Sequence, residues 1–112
     1  MLTRVGLALL LGLSAGCSQP ADPIVVRGNI LHVENQTSRE WRNVVVVVND
    51  HFRGGAPTLA AGGRLTAPLG QFKTAYGQPF DFARHGVVKV EVTATDANGE
   101  AIRLEKGAGK KP

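Results

Sequence analysis

The alternation of apolar and polar positions is clearest between Val87 and Thr95. Val88, Val90, Val92 and Ala94 fall on one side of an extended chain, and Lys89, Glu91 and Thr93 on the other. This pattern predicts a strand with one apolar face. Asp96-Ala97-Asn98-Gly99 follows, and Asn-Gly is a strong signal for a tight hairpin turn, so Ala101–Leu104 is predicted to return as the last strand. A second stretch, Trp41–Asp50, contains the run Val44–Val48. Consecutive β-branched residues lose side-chain freedom in a helix and suit a strand. Both faces of that run are apolar, which predicts a strand covered on both sides. Burial of each valine contributes about 1.5–3 kcal/mol, so the run can supply much of a small core.

Weaker patterns fill in the rest. Ile24–Glu34 reads as one strand interrupted at Gly28 by a bulge or a close backbone approach. Asn35–Glu40 is polar; Thr37 and Glu40 have capping-box spacing, but no helical apolar period follows, so a turn is predicted. His51-Phe52-Arg53 is expected to extend the valine strand after a bend, and Gly54-Gly55-Ala56-Pro57 to break it. Thr58–Ala61 is a weak strand, and Gly62-Gly63 a turn. Arg64–Leu69 is a short strand with Leu65, Ala67 and Leu69 on one face, and Pro68 marks it as an edge. Gln71–Phe80 is a loop in which Phe72, Tyr76 and Phe80 recur every four residues, with Gly77 and Pro79 opposing a helix. Six to seven short strands without a helix predict an all-β fold: one small antiparallel β-sandwich of immunoglobulin-like kind over residues 24–105, with a small open barrel as the alternative.

The N-terminal segment has a different pattern. Arg4 precedes the uncharged stretch Val5–Leu13, and the small residues Ala15 and Gly16 lead to Cys17, which is the order of a secretory signal. As a helix the uncharged stretch would span about 14 Å, too short for a bilayer core of about 30 Å. Leu13-Ser14-Ala15-Gly16-Cys17 resembles the lipobox of bacterial lipoproteins, although leucine is commoner one position nearer the cysteine. The resemblance implies a signal peptide over residues 1–16, cut between Gly16 and Cys17. It also implies a diacylglyceryl group on the Cys17 thiol, an N-acyl chain on the new amine, and no other cofactor. Cys17 is the sole cysteine, so no intramolecular disulfide can form. Each buried CH2 of such chains contributes about 0.8 kcal/mol, enough for two or more chains to hold a domain at a membrane. Ser18 stands where a retained inner-membrane lipoprotein tends to carry aspartate. The resemblance therefore implies an outer membrane facing the periplasm, if the host has two membranes. Residues 17–23 read as a lipidated tether and 106–112 as a flexible basic tail. The alternative is an ordinary cleaved signal with an unmodified cysteine.

Within the domain, Val26-Arg27-Gly28, Val33-Glu34-Asn35 and Trp41-Arg42-Asn43-Val44 with the valine run are similar to small bacterial extracytoplasmic sandwich domains. The spacing Phe72…Gly77…Phe80 is similar to a loop of exported proteins of that type. This resemblance brings no catalytic residues with it.

Charge adds little. The chain carries 13 Lys+Arg and 9 Asp+Glu, a formal net charge of +4, and the basic residues are scattered outside the tail. No nucleic-acid partner is expected from such a distribution. His32, His51 and His85 could join Asp50 or Asp81 only through an unrecognised ligand spacing, and neighbouring strand residues such as Asp50 and His51 point to opposite faces, so no metal site is expected. Ser18 and Ser38 lie in no nucleophile elbow. Asp81 and His85 could meet across a turn, but without a nucleophile. Glu34, Glu40, Glu91, Glu100 and Glu105 are scattered. No catalytic residue is nominated. Asn35-Gln36-Thr37 matches a glycosylation triplet, which is read as chance in a lipoprotein.

Trp41, Phe72 and Phe80 are expected in the core. Tyr76, next to Gly77 at a loop tip, is left open for recognition, and Phe72, Tyr76 and Phe80 mark the candidate binding loop. The expected function is that of a lipid-anchored, non-catalytic envelope protein. It would act in interaction or assembly through a sheet edge or the Phe72–Phe80 loop, with membrane and envelope partners. The alternative is a glycan- or peptide-binding accessory module.

Overall fold

The computed structural model describes residues 21–107. The lipobox with Gly16 and Cys17, the signal segment and residues 108–112 lie outside the described residues. Seven strands follow one another: β1 (Ile24–Arg27), β2 (Ile30–Glu34), β3 (Trp41–Val48), β4 (Phe52–Leu59), β5 (Arg64–Pro68), β6 (Lys89–Asp96) and β7 (Ala101–Gly107). A short 3-10 turn, Leu69–Gln71, follows β5. The strands form two antiparallel sheets, β1-β2-β5 and β4-β3-β6-β7. This is the immunoglobulin-like sandwich expected from the sequence. It departs from the constant-type arrangement in one respect: the fourth strand stays beside the third on the larger sheet.

The inner faces meet in one core. Ile24, Leu31, Val33 and Ala67 come from the smaller sheet, and Trp41, Val44, Val46, Val48, Val90 and Val92 from the larger. Trp41 and the valines reach the same face only through an irregularity. On a regular strand Trp41 and Val44 would point to opposite sides, because their spacing is odd. Asn43, at φ 54, supplies an extra residue: Asn43 and Val44 together oppose Ala94, between the pairs Arg42↔Thr95 and Val45↔Thr93. This is a β-bulge with an asparagine in the left-handed region, which Asn tolerates better than most residues. It resets the alternation so that Trp41, Val44, Val46 and Val48 are all buried. Val45 and Val47 on the outer face are half-buried among neighbouring strands, and among the described residues no second layer covers them. The expectation of cover on both sides is corrected accordingly. The indole N–H of Trp41 is buried and has no hydrogen-bond partner among the described residues.

Several boundaries differ from the sequence pattern. Ile24–Glu34 is a hairpin and not one bulged strand: Arg27 pairs with Ile30, and Gly28, at φ 60, is the first residue of a two-residue turn. The valine strand does not continue into His51–Arg53. Asn49 and Asp50 both take left-handed φ (51 and 65), the chain reverses, and Val48 pairs with Phe52. β4 then runs unbroken through Gly54–Pro57, because Pro57 lies on an edge strand where a missing donor costs little. Val88 precedes β6 and is 62% exposed, outside the core. β7 runs to Gly107, two residues into the segment read as a tail.

Three polar side chains hold the connections between strands. Asn35 is fully buried. Its Nδ2 donates to the carbonyls of Arg39 (2.8 Å), Leu59 (3.1 Å) and Ala60 (3.2 Å), and its Oδ1 accepts from the Thr37 amide (3.0 Å) and hydroxyl (2.6 Å). The glycosylation triplet is thereby explained as a turn, with an amide nitrogen that the fold already uses. Asn49 Oδ1 accepts from the amides of Val88 (2.7 Å) and Lys89 (3.1 Å), while its Nδ2 donates to the Gly86 carbonyl (2.8 Å). Asp96 closes the last hairpin by accepting from the amides of Asn98 (2.8 Å) and Glu100 (3.0 Å), with Arg39 3.5 Å away. The Glu100 amide above all, and then the Asn98 amide and the Arg39 charge, hold the Asp96 carboxyl below the usual range against the opposing effect of burial.

Two expected outcomes follow from these hubs. Asn35→Ala removes five hydrogen bonds at a buried site, among them the acceptor of the Thr37 amide, and should lower unfolding stability by about 3 kcal/mol in a urea titration followed by Trp41 fluorescence. A loss below about 0.5 kcal/mol would show that water replaces the side chain without cost. Asp96 has a depressed folded-state pKa, so its ionised form stabilises the fold above the unfolded value, and that contribution is lost as pH falls through the folded value. Asp96→Asn should therefore lower Tm at pH 7, with the gap to the parent closing below about pH 4. A gap that stays constant across that range would remove the charge as its cause.

Candidate functional site

The connection from β5 to β6 is long, and it is built as a hairpin docked on an edge. Leu69 starts it, buried, with its amide donating to the Asn29 carbonyl (2.7 Å). Phe72 and Phe80 both enter the core, and the Phe80 amide donates to the Phe72 carbonyl (2.8 Å). Between them Lys73 forms both backbone hydrogen bonds with Arg53 on the edge of β4 (2.9 and 3.2 Å) and also bridges to Pro79. The tip is closed by the Thr74 amide on the Gln78 carbonyl and the Gly77 amide on the Thr74 carbonyl, each at 2.9 Å. Thr74 Oγ1 accepts from the amides of Tyr76 (3.3 Å) and Gln78 (3.1 Å), and Gly77 takes φ 85.

The glycine pair in β4 explains how this hairpin docks. A Cβ on Gly54 would lie 2.7 Å from the Phe72 ring, and one on Gly55 would lie 1.9 Å from the Val44 carbonyl oxygen. Gly54 opens the seat for Phe72, and Gly55 lets the strand pass close to the Val44 carbonyl. Phe80 meets Phe52 edge-on, with ring centroids 5.0 Å apart, and His85 lies 5.6–5.7 Å from both rings.

The three aromatic residues of the candidate loop therefore divide. Phe72 and Phe80 are structural, and Tyr76 is 94% exposed at the tip. A depression of about 370 Å³ lies next to it, lined by Asp50, His51, Arg53, Thr74, Tyr76 and Gln78. Asp50, His51 and Arg53 reach it because the chain reverses after Val48, which the sequence pattern missed; Asn49-Asp50, two residue types that tolerate left-handed backbone, is the signal that could have shown it. Asp50 is held by Lys89 at 2.9 Å; this hydrogen bond lowers its pKa and raises that of the lysine.

The other sequence candidates do not converge. His85 Nδ1 lies 3.2 Å from the Asp81 carbonyl oxygen, so the two meet through backbone and not through the carboxylate. His32 Nδ1 lies 3.3 Å from Thr66 Oγ1 on the smaller sheet. Among the described residues no three of His, Cys, Asp and Glu are grouped so as to hold a metal ion.

The Tyr76 tip and the point where the chain enters are at opposite ends. The Ala21 carbonyl accepts from Gln36 Nε2 (2.7 Å), next to the start of β3, whereas the depression adjoins the turn that follows Val48. β3, with 8 residues, spans about 23 Å between those ends at 3.3 Å per residue.

Because Phe72 fills the space above Gly54, Gly54→Ala should lower stability by about 2 kcal/mol and speed amide exchange at Lys73 and Phe80. Unchanged exchange at both amides would show that the hairpin does not depend on that seat.

No protein-family model matches the chain, and no curated protein or solved structure matches it either.

Proposed function

We propose that the chain is a lipid-anchored, non-catalytic recognition module of the cell envelope, held through acyl chains on Cys17 and meeting its partner with the Phe72–Phe80 hairpin. In a host with two membranes it would sit on the outer membrane, facing the periplasm. The observation that carries this reading is Tyr76: a large aromatic side chain, 94% exposed, on a tip braced by backbone hydrogen bonds and two buried phenylalanines. Cys17 and Ala21 are four residues apart, so the tether allows about 14 Å at full extension. On this reading the chain enters at the end of the sandwich opposite Tyr76, which leaves the tip free to meet a partner away from the bilayer.

Assembly through a sheet edge is less favoured. β1 has only 4 residues, β5 ends in Pro68, and β4 carries Pro57 and is occupied by Lys73. β7 bears Arg103 and Glu105 on its exposed positions. Short strands, prolines and charges all blunt an edge against strand addition. The non-catalytic part of the reading is supported by the shifted carboxylates, each of which has a structural partner: Asp22 with Lys106, Asp50 with Lys89, and Asp96 with its turn.

The anchor is tested by Cys17→Ala. The variant should move from the membrane to the soluble fraction on cell fractionation. If it stays with the membranes to the same extent as the parent, the lipid reading fails.

A further inference from the structure

We propose that the depression beside Tyr76 binds a saccharide bearing a carboxylate, with the tyrosine ring stacked on the sugar face and Arg53 holding the acid group. This rests on the recognition reading above and names the ligand class for the same site.

The surface has two chemical parts. One is the Tyr76 ring, flat and almost wholly in water. The other is a set of side chains with spare hydrogen-bonding capacity: among the described residues His51, Arg53 and Gln78 line the depression without a side-chain hydrogen bond to the protein. A sugar ring has an apolar face and a hydroxylated rim, and it fits both parts at once. A wholly apolar partner would cover the ring but leave those donors unpaired and desolvated.

The charge decides for an acid. Arg53 and Lys73 are paired across the edge of β4, and among the described residues neither has a carboxylate within 4 Å. The acidic group that lines the depression, Asp50, is neutralised by Lys89 at 2.9 Å. The end of the sandwich is thus positive, with a guanidinium whose fork of donors matches the two oxygens of a carboxylate. An extended peptide would need free backbone on the β4 edge, and there the Arg53 amide and carbonyl are already bonded to Lys73. The tip is also pre-ordered by Thr74, so little conformational freedom is lost when a ligand binds.

Tyr76 is the only tyrosine of the chain, so its ring protons give an isolated NMR signal. The full-length protein in detergent is titrated with hexagalacturonate and, separately, with neutral cellohexaose. The Tyr76 ring and the amides of Arg53 and Gln78 should shift saturably with the uronate, and cellohexaose should bind at least about tenfold more weakly. Calorimetry should show a loss of about tenfold or more for Arg53→Gln and for Tyr76→Ala, retention for Tyr76→Phe, and no change for Arg64→Gln at the other end of the sandwich. Silence of the Tyr76 ring up to uronate concentrations on the order of 10 mM overturns the proposal, as does parental affinity in Arg53→Gln. A photo-crosslinker at Gln78 that captures an envelope protein while the titration stays silent also removes the saccharide, but leaves the recognition module standing.

Discussion

The parity of β3 is the constraint on which the rest of the molecule depends. A strand can send only every second side chain inward, yet the tryptophan and the valines that form the centre of the core sit at positions of opposite parity. One asparagine in a left-handed conformation resolves this at Asn43. The consequences pass from strand to strand. β4 remains paired along β3, with Leu59 opposite Trp41 and Phe52 opposite Val48, so its two ends also bury side chains of opposite parity. Between them the strand carries Gly54, and on that bare position the Phe72 ring comes to rest. The exposed tip at Tyr76 is thus positioned by a chain of packing that starts at the bulge.

Polar groups do the complementary work at the ends of the sandwich. Asn35 and Asn49 satisfy backbone donors or acceptors of the crossing loops, and Asp96 those of the last hairpin turn. A buried amide group with all its hydrogen bonds made is compatible with a dry core, whereas without Asn35 the Thr37 amide would lose its acceptor. Short side chains with two hydrogen-bonding atoms are suited to this task, since little rotamer freedom is lost in ordering them.

The sandwich was legible in the sequence because its strongest patterns are local. The alternation from Val90 to Ala94, the Asn-Gly turn and the valine run each state their structure within a few residues. What was not legible depends on contacts distant in sequence. Gly54-Gly55 reads as a break until Phe72 is placed on the first glycine and the Val44 carbonyl against the second. Gly28-Asn29 and Asn49-Asp50 are turn signals that were overridden by the apolar residues around them. For the site, Tyr76 could be picked out as a loop-tip aromatic, and the burial of Phe72 and Phe80 was anticipated. Arg53, His51 and Gln78 could not be picked out, because they come together only after the chain has reversed at Asn49 and the hairpin has docked.

The opposite placement of Ala21 and Tyr76 has a mechanical side. A pull applied between the point where the chain enters and the tip of the hairpin acts along the strand axes, so β1 would have to slide past β2 with its hydrogen bonds loaded together in shear. In single-molecule stretching this geometry gives one high-force rupture, where a load across the sheet would unzip the bonds one after another at low force.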